Sequence, residues 1–165
     1  MPRTLILMRH AKSSWDDPAT DDHDRPLNGR GRRSAVALGD WLRDTGWLPD
    51  QVLCSTATRT RETYAGLNIP LAAEFHSALY HASAATMRQL LAAATGRTVL
   101  MIGHNPGIGD FARRLLAAPP DHPRFADYPT GATLVARFDI ASWDRLDWQS
   151  GRAADFTVPR DLSVG

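Results

Sequence analysis

The sequence has one cysteine, one lysine and no long apolar run. Cys54 alone cannot form a disulfide within the chain, which excludes a disulfide-stabilised scaffold and is typical of a reducing compartment. The apolar stretch near the N-terminus is too short for the core of a signal peptide, and nothing approaches the roughly 18 apolar residues of a membrane span. We therefore expect a cytoplasmic protein with no membrane partner.

A strong net charge and internal repeats are also missing. The 19 basic and 18 acidic side chains leave a formal charge of +1, which argues against a nucleic-acid partner. A chain of 165 residues can bury a sizeable core, so we expect a single domain over residues 1–165. Every basic residue except Lys12 is an arginine. Genome base composition also produces such a bias, so only the placement of individual arginines counts as evidence for anion binding.

Apolar runs of strand length alternate with helical patterns along the chain. Strands are predicted at 5–8, 52–54, 98–102 and 132–138, with a further strand at 156–158 and an extended segment at 72–79. Helices are predicted from the cap residue Asn28 to 45–46, over 57–67, from the cap residue Ser83 to 95–96, and around 111–116. This alternation predicts an α/β fold, a three-layer α/β/α sandwich with a mostly parallel central sheet.

Three of the predicted strands end in basic residues. Arg9 and His10 follow the first strand, Arg59 lies just past the second, and His104 follows the strand at 98–102. Because the carboxyl ends of parallel strands meet at one edge of a sheet, we expect these side chains to converge. Arginines neutralise and orient phosphate oxygens, and a neutral imidazole is a nucleophile available at cellular pH. The pattern predicts a pocket in which His10 attacks a phosphoryl group.

Four ordered motifs resemble the histidine phosphatase superfamily, which includes the cofactor-dependent phosphoglycerate mutases. They are LMRHA at 7–11, RPL at 25–27 with Gly29 and Gly31, STATR at 55–59 with Glu62 and Thr63, and GHNPG at 103–107. The small size, the LY pair at 79–80, PTG at 129–131 and PRDL at 159–162 are most similar to the SixA-type phosphohistidine phosphatases. The resemblance spans nearly the whole chain and implies a phosphoglycerate mutase-like fold.

The resemblance also implies roles for individual residues. His10 would be the nucleophile that becomes phosphorylated, Arg9 and Arg59 would bind the phosphoryl oxygens, and His104 would complete the pocket. The further substrate-binding candidates are Ser13 and Asn105. Arg61 is close to Arg59 in sequence, but the spacing after Ser55 favours Arg59, and Arg61 would point elsewhere.

No metal or cofactor is expected. The six histidines form no close pair at helical spacing, and one cysteine provides no zinc cluster. Cys54 also lacks the Cys-x5-Arg spacing of a cysteine phosphatase, because four residues separate it from Arg59 and six from Arg61. Ser55 lacks the Gly-x-Ser-x-Gly context of a serine nucleophile.

The pattern departs from the superfamily in two places. Ala11 replaces the glycine that commonly follows the Arg-His pair, which should matter little. The mutases and many phosphatases carry a glutamate or aspartate proton donor after the third strand, whereas residues 76–82 (HSALYHA) contain no carboxylate. No general acid can therefore be assigned. The loop residues that could still supply a proton are Asp16, Asp17, Glu74 and His81.

The absence of a carboxylate proton donor indicates which kind of leaving group the substrate carries. An alkoxide leaving group needs a proton in the transition state, and a positioned acid contributes roughly 10²–10⁴-fold. An imidazole leaving group has a much lower pKa and needs this help far less. The sequence therefore favours a phosphoramidate substrate, such as phosphohistidine in a protein, and a metal-independent phosphatase that forms a covalent phosphohistidine on His10.

Two alternative functions stay open, a small-molecule phosphomonoesterase of the same superfamily and a phosphohistidine-binding module without turnover. A mutase is disfavoured because the short chain has no obvious insertion to close over an intermediate. Arg30, Arg32 and Arg33 are interpreted as the solvated start of a helix, with the alternative that one of them extends the positive rim toward an acidic substrate. Trp15 lies in the long loop next to His10 and is the tryptophan that packing explains least.

Overall fold

The computed structural model describes residues 2–164. Its strands are β1 (Arg3–Arg9), β2 (Gln51–Ser55), β3 (Glu74–His76), β4 (Thr98–Gly103), β5 (Thr133–Phe138) and β6 (Arg152–Thr157). Its helices are α1 (Gly29–Thr45), α2 (Thr58–Leu67), α3 (Ala84–Ala92) and α4 (Gly107–Leu115). Four short 3-10 turns lie at Asp22–Asp24, Ser77–Leu79, Trp143–Arg145 and Pro159–Leu162. Between residues 2 and 164, no helix is long and apolar enough to cross a membrane.

The six strands form one sheet in the order β3-β2-β4-β1-β5-β6. The pairs among β3, β2, β4 and β1 are parallel, whereas β5 pairs antiparallel with both β1 and β6. The prediction of a mostly parallel sheet is confirmed. In the register of β1 and β4, Arg9 lies opposite Gly103. The next residues, His10 and His104, therefore leave two neighbouring strands side by side.

The side chains of β1 alternate between two separate apolar clusters, as strand geometry requires. Leu5 and Leu7 pack into a cluster with buried residues of α3 and α4, and Ile6 and Met8 pack into a cluster with buried residues of α1 and α2. Each face of the sheet is thus covered by a pair of helices. The predicted three-layer α/β/α sandwich is confirmed.

The predicted helix caps are confirmed. The Asn28 side chain accepts a hydrogen bond from the Gly31 amide at 2.8 Å, and the Ser83 side chain accepts one from the Thr86 amide at 3.2 Å. Each bond satisfies an amide that has no partner within the helix. Gly46 ends α1 in the left-handed conformation at φ 80°, which glycine adopts without steric cost.

The end of α3 was predicted too late. The helix ends at Ala92, and the backbone amides of Thr95 and Gly96 donate to the side chain of Gln51. Asp50 likewise accepts from the amides at the start of β4. These bonds come from residues at the start of β2, more than 40 positions away in sequence, so local periodicity could not reveal them.

Two edge strands were also predicted imperfectly. Only Glu74–His76 of the extended segment at 72–79 is a strand, and residues 77–79 form a 3-10 turn that buries Leu79. β6 begins at Arg152 rather than at 156, because most of its side chains are polar or partly exposed and lack an apolar run. Edge strands carry weak patterns since only part of their surface is buried.

The long segment between β1 and α1 folds back on itself beside the carboxyl ends of the strands. Its two ends are joined, because the Ser14 amide donates to the Pro26 carbonyl at 2.8 Å and the Asn28 amide to the Lys12 carbonyl at 3.0 Å. Gly31 makes this contact with α1 possible, since a Cβ there would lie 2.0 Å from the Lys12 carbonyl oxygen. The segment is therefore fixed at both ends next to His10.

Candidate active site

A cavity of about 300 Å³ opens where β1, β2 and β4 end. All six site residues expected from the sequence line it, namely Arg9, His10, Ser13, Arg59, His104 and Asn105. The structure therefore brings together side chains that are scattered over nearly a hundred positions. Further lining residues include Trp15, Asp22, Arg25 and His81, for which the sequence analysis predicts no definite role.

His10 is buried, with 5% of its surface exposed, and its protonation pattern follows from one contact. Its Nδ1 lies 2.7 Å from the carbonyl oxygen of Ala11. Because a carbonyl oxygen can only accept, Nδ1 carries the proton and donates it. In the uncharged ring the other nitrogen, Nε2, then holds a free lone pair, which is what a nucleophile requires.

The surroundings of His10 keep that lone pair available. Burial, together with the positive charges of Arg9, Arg59 and Arg25 and against an opposing contribution from the bond to Ala11, lowers the pKa of His10 to about 3. The ring is therefore uncharged across the physiological pH range. A protonated imidazole has no lone pair to attack with, so the cationic cavity that would hold an anion also maintains the reactive form of the histidine.

His104 lies beside His10, with ring centroids 5.3 Å apart. Its Nε2 is 2.8 Å from the hydroxyl oxygen of Ser55, which also accepts a hydrogen bond from the Ala57 amide. If the Ser55 hydroxyl donates its proton to Nε2, the single proton of the uncharged His104 ring lies on Nδ1. Nδ1 has no hydrogen-bond partner among residues 2–164. Burial, followed by the nearby charges, lowers the pKa of His104 to about 2.

Arg9 and Arg59 reach the cavity from two different elements. Arg9 ends β1, and its Nη1 donates to the Tyr128 carbonyl at 3.2 Å. Arg59, only 3% exposed, lies in the first turn of α2 and donates to Asp22 through Nη1 and Nη2. The Nε atoms of both arginines are buried without a partner among the described residues. Both guanidinium groups therefore keep unused donors near the cavity.

Asp22 is the principal residue that sequence reasoning missed. Its carboxylate lies 3.0 Å from Arg25, 3.1 Å from Arg59 and 3.4 Å from the His81 ring, and it accepts a hydrogen bond from the Tyr80 hydroxyl at 2.5 Å. The bond from Tyr80, with those from the two arginines, holds the pKa of Asp22 well below its usual range. Asp22 is thus a fixed negative charge within a cluster of cations.

Arg25 is buried and connects the long loop to the cavity. Its guanidinium donates to the hydroxyl oxygen of Ser13, pairs with Asp22 and lies 3.6 Å from the centre of the Trp15 ring. Trp15 itself is 73% exposed. The sequence motif RPL at 25–27 pointed to Arg25, but gave no sign that its side chain would be a third arginine in the cavity.

Ser13 and Asn105 occupy different chemical situations in the cavity. Ser13 accepts from Arg25, and its own hydroxyl proton remains available. Asn105 donates to the carbonyls of Asp127 and Tyr128 and accepts from the Gly109 amide, so its amide group is engaged with the protein. Asn105 therefore holds two loops together beside the cavity.

Arg61 and Cys54, which the sequence analysis excludes from the catalytic residues, do not line the cavity. Arg61 donates to the Thr56 carbonyl and covers the Phe75 ring, outside the cavity. Cys54 is buried in β2, and burial raises the pKa of its thiol to about 12.

Of the four loop residues considered as proton sources, His81 lines the cavity, whereas Asp16, Asp17 and Glu74 do not. Over residues 2–164, no group of three or more potential metal ligands occurs.

Known proteins are similar to this chain in sequence and in fold. The sequence profile of the histidine phosphatase superfamily (branch 1) matches residues 5–79. An uncharacterised protein of Mycobacterium tuberculosis H37Rv is 35% identical over 160 residues, covering 93% of this chain and 100% of that protein. The structure of a candidate phosphohistidine phosphatase SixA from Nakamurella multipartitia is 32% identical, with a TM-score of 0.85 over 96% of this chain and 97% of that one. A candidate SixA from Agrobacterium tumefaciens is 28% identical, with a TM-score of 0.79 over 96% and 99% of the two chains.

The fold and the site together define an α/β protein that can hold a phosphoryl group beside an uncharged histidine. The chain belongs to the histidine phosphatase superfamily, and its fold is the phosphoglycerate mutase-like fold of the SixA structures. The expected resemblance is confirmed. Membership of the superfamily and the SixA neighbours support phosphatase activity.

The two buried histidines make the stability of the protein sensitive to acid. Their folded pKa values of about 3 and about 2 lie below the ordinary value of about 6.5. Between these values the unfolded chain binds protons that the folded chain does not. The free energy of unfolding is therefore highest above about pH 6.5 and decreases as the pH falls. From pH 7 to pH 5 we expect a loss of about 2 kcal/mol for each histidine. Urea unfolding in phosphate-free buffer measures it.

The matched variant is H10N/H104N, which removes both groups. Its free energy of unfolding should change less between pH 7 and pH 5 than that of the wild type, by up to about 4 kcal/mol. Between pH 7 and pH 8 the difference between the two proteins should be nearly constant. Parallel profiles down to pH 5 would show that these histidines are not held uncharged.

Proposed function

We propose that the protein is a phosphatase that forms a covalent phosphohistidine on His10 and acts on phosphohistidine in proteins. The observation that carries the proposal is His10 itself, buried, uncharged and held by Ala11 so that Nε2 is free, in a cavity lined by Arg9, Arg25 and Arg59. Such a cavity suits a dianionic group with an electrophilic centre, and a phosphoryl group is both. The SixA relatives support phosphohistidine as the substrate class.

In the first step, Nε2 of His10 forms a bond to phosphorus while the bond from phosphorus to the substrate imidazole breaks. The electron pair of the broken bond goes to the departing nitrogen. Arg9 and Arg59 bind the non-bridging oxygens, and Nδ1–H of His104 donates to the charge that builds up on the transferred group. Ser13 can add a hydroxyl donor, whereas Asn105 positions the loops that hold Arg9.

In the second step, a water molecule attacks the phosphorus of the phosphorylated His10. A new oxygen–phosphorus bond forms, the phosphorus–nitrogen bond breaks, and Nε2 recovers its lone pair. The water gives up a proton as it attacks, so a neighbouring base assists this step. The same base, once protonated, can return a proton to the next departing imidazole.

Asp22 does not suit the role of that acid and base, because its contacts hold it as a carboxylate. We assign the role to His81 instead. Its ring lies at the cavity rim, 5.8 Å from the ring of His104, and its Nε2 is 3.4 Å from Asp22. With Nε2 directed to that carboxylate, Nδ1 is left to exchange a proton with the substrate. An imidazole is a modest acid, which fits a leaving group that needs little help.

Covalent labelling tests the nucleophile. Reaction with labelled phosphoramidate, stopped at alkaline pH by a denaturant, should leave one acid-labile, base-stable phosphate on His10, located by peptide mapping. The H10N variant should fold, bind no label covalently and release no phosphate. A label on any other residue, or steady-state turnover without a label at short reaction times, would overturn the mechanism. Label without turnover would indicate a binding module.

The role of Arg59 can be tested against a neighbour on the same helix. R59Q should lower kcat/KM for phosphoramidate by roughly 10²–10³-fold, because it removes a donor to the developing charge. R61Q makes the same chemical change two positions away, outside the cavity, and should leave kcat/KM nearly unchanged. Steady-state kinetics of the two variants measures this difference. Equal losses in both would remove Arg59 from the site.

The role of His81 is tested by its dependence on the leaving group. In H81Q, the rate of His10 phosphorylation by phosphohistidine should fall about 10- to 100-fold. The same rate with p-nitrophenyl phosphate should change little, since that leaving group departs without a proton. H76Q, outside the cavity, is the control. Rapid-quench kinetics measures both rates, and equal losses with the two substrates would contradict proton transfer by His81.

A further inference from the structure

A second cavity, here called the basic cavity, lies next to the active-site cavity. Its volume is about 220 Å³, and four cationic side chains from four different segments line it, namely Lys12, Arg30, Arg124 and Arg160. None of its lining residues within the described chain is acidic. The cavity takes no part in the reaction proposed above.

Among residues 2–164, little negative charge lies close to the cations of the basic cavity. Arg124 pairs with Asp127 at 2.9 Å. Within the described chain, Lys12, Arg30 and Arg160 form no ion pair with any acidic side chain, since none lies within 4.0 Å of them. Like charges that face one another across a cavity repel, and the whole chain carries a formal charge of only +1. A bound anion would relieve this local excess of positive charge.

A hydroxyl group adds to the polar lining of the basic cavity. Ser34 lines the basic cavity and is only 3% exposed. The Ser34 hydroxyl is not one of the buried side-chain atoms of residues 2–164 that lack a partner, so it adds a potential donor to the cavity wall. An oxyanion held by Arg30 and Arg160 would also be able to accept a hydrogen bond from this hydroxyl.

The two cavities adjoin each other. Lys12 and Thr130 line both, and Lys12 is two residues from His10. The exposed Trp15 ring lines the active-site cavity as well and is fixed against Arg25. An exposed aromatic ring beside a basic groove is typical of a surface that contacts a polypeptide, where aromatic and arginine side chains dominate binding.

We propose that the basic cavity binds a second anionic group of the substrate, an acidic side chain close to the phosphohistidine in a polypeptide. This inference rests on the proposed function, because it places the phosphoryl group at His10. A carboxylate fits the cavity chemically, since arginine side chains and a hydroxyl are its usual donors. The acidic group adds affinity and leaves the chemistry at His10 unchanged.

The test uses the R30Q/R160Q variant, whose changed residues line only the basic cavity. The substrates are phosphohistidine peptides of equal length with glutamates near the phosphohistidine, the same peptides with glutamines, and phosphoramidate. The wild type should prefer the acidic peptides by about 10-fold in kcat/KM at low salt. R30Q/R160Q should lose this preference while its turnover of phosphoramidate stays within twofold of wild type.

The R97Q/R145Q variant is the matched control. It removes the same charge from exposed arginines at the opposite edge of the sheet, which line neither cavity, and should keep the preference. An unchanged preference in R30Q/R160Q, or an equal loss with phosphoramidate, would overturn the inference. A preference for small bisphosphates over monophosphates that R30Q/R160Q abolishes would overturn the polypeptide assignment. If no phosphohistidine peptide is hydrolysed at all, the proposed function itself fails.

Discussion

The carboxylate of Asp22 allows three arginines to face one small cavity. Arg59 and Arg25 are almost completely buried, and both pair with it. Buried charges without a partner are strongly destabilising. Asp22 therefore stabilises the cationic cavity in the absence of a ligand. It also connects the long loop to α2 and, through Tyr80, to the turn after β3. The geometry of the site depends on this one residue.

The charge balance set by Asp22 also explains the state of His10. One carboxylate does not cancel the field of three guanidinium groups, so the cavity remains positive and disfavours a protonated imidazole. The bond to Ala11 then decides which nitrogen keeps the proton. Burial, charge and one backbone contact act together, and none of them alone would give an uncharged ring with Nε2 free.

The sequence predicted the parts of the site that are attached to regular structure. Arg9, His10 and His104 follow buried strands with clear apolar runs, and Arg59 lies in the first turn of a helix, so a parallel sheet was sufficient to bring them together. Asp22 could not be predicted in this way. It lies in a loop without periodicity, and its position depends on hydrogen bonds between the two ends of that loop.

The same reasoning explains why the proton source was uncertain. His81 comes from a turn after the shortest strand of the sheet and has a positive φ of 54°, a conformation that local sequence rules do not anticipate for histidine. Asp16, Asp17 and Glu74 were equally plausible from the sequence, since all are polar loop residues. Only the folded chain shows which of the four lines the cavity.

The exposed rim of the active-site cavity is relevant to whether a phosphoryl group is hydrolysed by water or transferred to a second substrate. The side chain of His81 is 56% exposed and Trp15 is 73% exposed, so solvent reaches the cavity lining at both residues. A mutase must exclude water from its phosphorylated histidine until the phosphoryl group has returned to a substrate. In the mechanism that we propose, the exposed rim would let water reach His10 once the leaving group has departed. An open rim is also what a phosphoryl group on a large protein requires, because such a substrate cannot be enclosed.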